Sequence, residues 1–158
     1  MTGPSPFTVL EDAFRLLGAQ PCPLAMDGRQ LGHGLPCRQI PIVELRSILT
    51  APTASSDLQH HLIGAVLCRM HQHPATWVVV LGGLLLPGLR CVADQMTALD
   101  QRPASEVETE LLWRLLTATR RSSRHAHRFA VSLLQLAPAS CPGNATSPTP
   151  STPIDHPG

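Results

Sequence analysis

Lysine and tyrosine are both missing from this 158-residue chain, so arginine supplies all 12 Lys/Arg positions, and aromatic residues make up only 3%. Without lysine there is no phosphate-binding P-loop, and neither a G-x-S-x-G elbow nor an H-E-x-x-H metal motif occurs. Gly32-His33-Gly34 opens like a dinucleotide fingerprint but continues Leu35-Pro36-Cys37, without the third glycine. These absences favour a non-enzymatic protein with no cofactor. Charge is scarce too: 15% of residues are charged and the formal net charge is +1, so no overall field draws the chain to nucleic acid or an anionic membrane. Any such affinity needs a local cluster.

A framework of disulfides is not expected either. Cys22, Cys37, Cys68, Cys91 and Cys141 are odd in number and irregularly spaced, which suits reduced thiols. Met1 to Pro6 carries no positive charge and no signal-length apolar run follows it, so a cytoplasmic location is expected. The uncharged segment from Ala75 to Leu89 falls short of the roughly 20 apolar residues of a membrane span and contains Gly82, Gly83 and Pro87. It reads as a central helix covered on most sides, ended or kinked by Pro87, with a helical continuation beyond it through Leu89, Val92, Ala93 and Met96.

What is present is helical periodicity. Thr8-Val9-Leu10-Glu11 has the form of a capping box, after which Leu10, Ala13, Phe14 and Leu17 share a face until Gly18. From Ala19 to Gln39 the chain is rich in glycine and proline, with Met26-Asp27-Gly28-Arg29 suggesting a tight turn in a loop or minimal hairpin. A short stripe of Ile42, Leu45, Ile48 and Leu49 follows Pro41. Next, Ser55-Ser56-Asp57 caps a helix carrying Leu58, Leu62, Ile63, Val66, Leu67 and Met70. Ser105-Glu106-Val107-Glu108 forms a second capping box before Leu111, Leu112, Leu115 and Leu116. Ala126, Phe129, Ala130, Leu133, Leu134 and Ala137 mark a last helix, which Pro138 is expected to end. The expected fold is an all-α single-domain bundle of about five to six helices over residues 7–137. Residues 138–158, rich in Pro, Ser and Thr, are expected to form a disordered tail.

Two clusters stand out chemically. Cys68, His71 and His73, with His60 and His61 earlier on the same helix, are the best metal candidates. The other cysteines are unpaired, however, so the expectation is a polar helix face with Cys68 buried, and no metal. The second cluster is basic: Arg120, Arg121, Arg124 and Arg128 lie in nine residues with no acid among them. With a helix beginning near Ser123, Arg121, Arg124 and Arg128 would share one side, a row able to meet phosphates. The alternative is a solvated face, or arginines paired with Glu106 to Glu110.

The runs Pro23-Leu24-Ala25-Met26-Asp27-Gly28-Arg29, Leu31-Gly32-His33-Gly34-Leu35-Pro36, Glu44-Leu45-Arg46, Trp77-Val78-Val79 and Leu86-Pro87-Gly88-Leu89-Arg90 together resemble an actinobacterial family of sigma-factor-like proteins. Glu106-x-Glu108-Thr109-Glu110-Leu111-Leu112 is similar to the acidic helix start of sigma region 2, which docks on RNA polymerase, and Arg128-Phe129 onward resembles the promoter-facing helix. The resemblance spans roughly residues 7–137 and lacks the C-terminal helix-turn-helix module. It implies a transcription-associated module acting through its last two helices. Glu106, Glu108, Glu110 and Arg114 would face a protein partner such as RNA polymerase, while Arg120, Arg121, Arg124 and Arg128 would contact nucleic-acid phosphates or acidic groups of a partner. The competing expectation is a helical interaction or regulatory scaffold that binds no DNA.

Overall fold

Apolar residues at three- and four-residue steps make helices that must bury one stripe, and these bury it around a single central helix. The computed structural model of the protein describes residues 3–19 and 21–140, with side chains through Leu136. Its elements are α1 (Pro6–Ala19), β1 (Ala25–Asp27), α2 (Gly28–Leu31), β2 (Gln39–Pro41), α3 (Ile42–Thr50), α4 (Ser56–Met70), α5 (Pro74–Asp100), α6 (Ala104–Arg121) and α7 (Ser123–Ser140). The fold is all-α, with a one-turn α2 in addition to six longer helices among the described residues. Residues 141–158, on which most of the expected tail falls, lie outside the described residues. Its first three residues, 138–140, are helical: α7 continues through Pro138 to Ser140 rather than stopping there.

Helix α5 is the hub, packed against α1, α3, α4, α6 and α7. Val80, Leu81, Leu84, Leu85, Leu86 and Leu89 are fully enclosed, which explains a helix apolar on every side. At 27 residues, with mean hydropathy 1.7 over its most apolar 18-residue window, it is long and apolar enough to cross a membrane. Yet 61% of that window is buried inside the bundle. Pro87 neither ends nor splits it. A proline has no N–H, so the Gly83 carbonyl one turn back loses its usual partner. Arg46 of α3 fills the vacancy, its Nη1 lying 3.4 Å from that oxygen. The same guanidinium donates to Glu11 of α1 at 2.8 and 2.9 Å and lies 4.6 Å from the centre of the Phe14 ring. One arginine therefore ties α1, α3 and α5 together at a point where helix geometry alone leaves a polar group unmet.

This also explains why neither capping box forms. Glu11 is only 7% exposed and faces Arg46 instead of capping α1. α1 starts earlier, with the Ser5 carbonyl accepting from the Val9 N–H at 3.0 Å. Its other partner comes from across the molecule: Glu108 of α6 accepts from the Ser5 hydroxyl and, at 3.2 Å, from the Phe7 N–H. Since Glu108 points to α1, it is not available to cap α6, which begins at Ala104 behind Pro103 with no side-chain cap. The Ser55 cap of α4 does form, its hydroxyl accepting from the Leu58 N–H at 3.1 Å.

The minimal hairpin exists, with Met26 opposite Ile40 in antiparallel register. Its connection is not a tight turn at residues 26–29. Asp27 accepts from the Arg29 N–H at 2.9 Å and so caps α2, placing a turn of helix and a loop between the strands.

Candidate anion-binding surface at the α6–α7 corner

A single extended residue, Ser122, separates the last two helices and serves both. Its N–H closes α6 on the Ala118 carbonyl at 3.4 Å, and its hydroxyl accepts from the His125 N–H at 3.2 Å to cap α7. The four cluster arginines flank this corner: Arg120 and Arg121 in the last turn of α6, Arg124 and Arg128 in the first two turns of α7. All four are exposed. Among the described residues none of them forms an ion pair, whereas Arg15, Arg38, Arg46, Arg102 and Arg114 each pair with a glutamate. No acidic residue occurs between Leu111 and Leu136; Arg29, Arg69 and Arg90 also form no ion pair among the described residues, but they are scattered along the chain.

The break in the helix divides the cluster differently from the single row expected. Arg124 and Arg128 line a groove between α4 and α7 of about 490 Å³, together with Cys68, His71 and His127. Arg120 lines its continuation toward the start of α5, about 360 Å³. Arg121 lies on the other side of the corner, in a shallow depression with Trp113, Arg114, His125 and Phe129. A straight helix would have kept Arg121 in register with Arg124; the turn at Ser122 separates them.

The position of each charge relative to its helix also matters. Cations in the last turn of α6 favour the helix dipole, so Arg120 and Arg121 have a structural use. Arg124 lies in the first turn of a helix that has no acid there, where a cation opposes the dipole and an anion is favoured, and Arg128 follows one turn on.

The acidic partner row is split as well. Glu108 is committed to the start of α1. Glu110 accepts from Arg102 at 2.6 Å and from Arg114 at 2.5 Å, and its carboxyl is held below the ordinary range chiefly by the Arg102 hydrogen bond. Glu106 lies 3.9 Å from Arg102 and remains mostly exposed. Glu106, Glu110 and Arg114 thus share one face of α6, and Glu108 lies on another. Between the charges stands Trp113, 64% exposed, a residue whose apolar bulk suggests the core from sequence alone.

Two pairs of histidine rings lie along α4. The His60 and His127 rings lie 5.0 Å apart, with His127 Nε2 2.8 Å from the His60 carbonyl, and the His33 and His61 rings lie 5.3 Å apart. No three His, Cys, Asp or Glu side chains among the described residues are grouped to hold a metal ion. Cys68 is exposed, not buried, as are Cys22 and Cys37, while Cys91 is buried. Cys141 lies outside the described residues.

Compared with protein-family models, with curated proteins and with solved structures, the chain matches none.

Proposed function

We propose that this protein is a non-enzymatic, sigma-like, transcription-associated module that contacts the phosphate backbone of DNA at the α6–α7 corner. The observation that carries the reading is the set of four exposed arginines without acidic partners, Arg120, Arg121, Arg124 and Arg128, in a chain whose net charge is only +1. Exposed arginines that pair with no carboxylate among the described residues suit phosphate, which each can neutralise with release of counterions. The test is fluorescence anisotropy with labelled duplex DNA over a range of salt concentrations. Replacing Arg124 and Arg128, which line one groove, together by alanine lowers the salt slope by about two units and weakens all sequences alike, because phosphate contacts carry no base information. No binding by the parent at low salt, or an unchanged slope in the variant, refutes the proposal.

A second reading, a protein-interaction scaffold, is favoured by Trp113 and by Leu99, which is 82% exposed. In that reading the α6 face bearing Glu106, Glu110, Trp113 and Arg114 receives the partner. Capture from a native lysate, read beside the anisotropy assay, separates the two: a protein other than RNA polymerase that co-purifies with the parent and is lost with Trp113→Ala, in a parent that binds no DNA, supports the scaffold, whereas co-purifying RNA polymerase subunits support the sigma-like module.

A further inference from the structure

The groove along α4 has a feature that phosphate contacts leave unused. Its two stretches share Leu67, His71 and Ser123 and so form one channel, with Leu67, Val78 and Leu116 along one part and Arg124, His127 and Arg128 along the other. No acidic residue lines either stretch. A bare phosphate would leave the apolar wall in water, and a purely apolar occupant would leave the arginines without partners. We propose that the groove binds a soluble anionic amphiphile, a single acyl or alkyl chain carrying a phosphate monoester head.

The chain lies against Leu67, Val78 and Leu116, and the head sits on Arg124 in the first turn of α7, where the dipole adds to the attraction, and on Arg128 one turn further on. The dimensions fit a small molecule: stretches of about 360 and 490 Å³ fall in the range of ligand sites, roughly 300–1,000 Å³. The head recruits Arg124, whose charge opposes its own helix dipole, so binding relieves an unfavourable placement. This site shares Arg124 and Arg128 with the DNA proposal but does not require it, and it is tested without DNA.

Isothermal titration of the full chain with decyl phosphate below its micelle concentration, and with ethyl phosphate, reads the two parts of the groove separately. Saturable one-to-one binding of decyl phosphate at least about tenfold tighter than ethyl phosphate is expected, since tenfold needs only about 1.4 kcal/mol of buried apolar surface. Arg124→Ala with Arg128→Ala weakens decyl phosphate by about tenfold or more through loss of the charged head contacts. Ala75→Trp, which adds bulk at an exposed position on the apolar wall, does so by blocking the chain. Both variants keep the parent's helical circular dichroism and melting midpoint. Equal affinity for the two phosphates, no binding of either, or unchanged binding in the variants overturns the proposal. So does binding to anionic phospholipid vesicles in the absence of binding to decyl phosphate, which would make the groove a membrane-surface contact instead.

Discussion

Arg46 shows how much one side chain can carry when a backbone rule is broken nearby. It neutralises the nearly buried Glu11, covers Phe14 and reaches the carbonyl that Pro87 leaves unpaired. Arg46→Met removes its hydrogen bonds to Glu11 and Gly83 and leaves the nearly buried Glu11 with only the exposed Arg15 as partner, so it costs about 2–3 kcal/mol in urea unfolding. Glu11 also makes stability depend on pH. Its carboxyl is held below the ordinary value of 4.5, first by the Arg46 hydrogen bond, against the opposing effect of burial. A depressed carboxyl contributes stability above its unfolded value, and that contribution disappears as pH falls through the folded one. The melting midpoint of the parent therefore drops below about pH 4.5 more steeply than that of Glu11→Gln, which has no proton to gain there.

At the scale of elements, the central helix depends on small residues where its neighbours come closest. A Cβ on Gly88 would lie 2.3 Å from the Leu133 carbonyl oxygen of α7, and backbone cannot move aside as a side chain can. Gly88→Ala should cost about 1–3 kcal/mol by forcing α7 outward, despite alanine's better helix propensity. Thermal unfolding of the single variant checks it; an unchanged or higher midpoint means that α5 and α7 do not pack this closely. The exchange of caps belongs to this scale too. Glu108 belongs to α6 in sequence but completes α1 in space, so the two helices are coupled through a bond between residues far apart in the chain.

At the scale of the whole molecule, charge is sorted by distance from the acids. Glutamates pair with the arginines near them, and the acid-free stretch from Leu111 to Leu136 leaves its basic cluster around one corner. Because the corner turns Arg121 away from Arg124 and Arg128, the two sides can be read independently. If DNA lies along the α4 groove, Arg124→Ala with Arg128→Ala lowers the salt slope by about two units and Arg121→Ala leaves it unchanged. A DNA strand crossing the corner instead loses about one unit with Arg121→Ala alone, so anisotropy on the two variants decides the path.

The sequence by itself determined the helices, because a 3.6-residue apolar period has one structural solution when the stripe must be buried; the stripes of α3, α4, α6 and α7 and the enclosed Val80 to Leu86 run of α5 follow directly from it. It also determined that positive charge concentrates between Arg120 and Arg128, since no acid is near in the chain to offset it. Tertiary structure decided the rest, wherever a polar group's partner is distant in sequence. Glu11 and Glu108 have the spacing of local caps, yet Arg46 and the start of α1 claim them. Pro87 has the form of a helix breaker, yet a helix enclosed on all sides and given a replacement donor continues through it. Trp113 has the composition of core but sits on the outer face of α6. Arg121, one residue from the α6–α7 turn, was separated from its neighbours by the backbone of Ser122, because a single extended residue redirects every side chain that follows it.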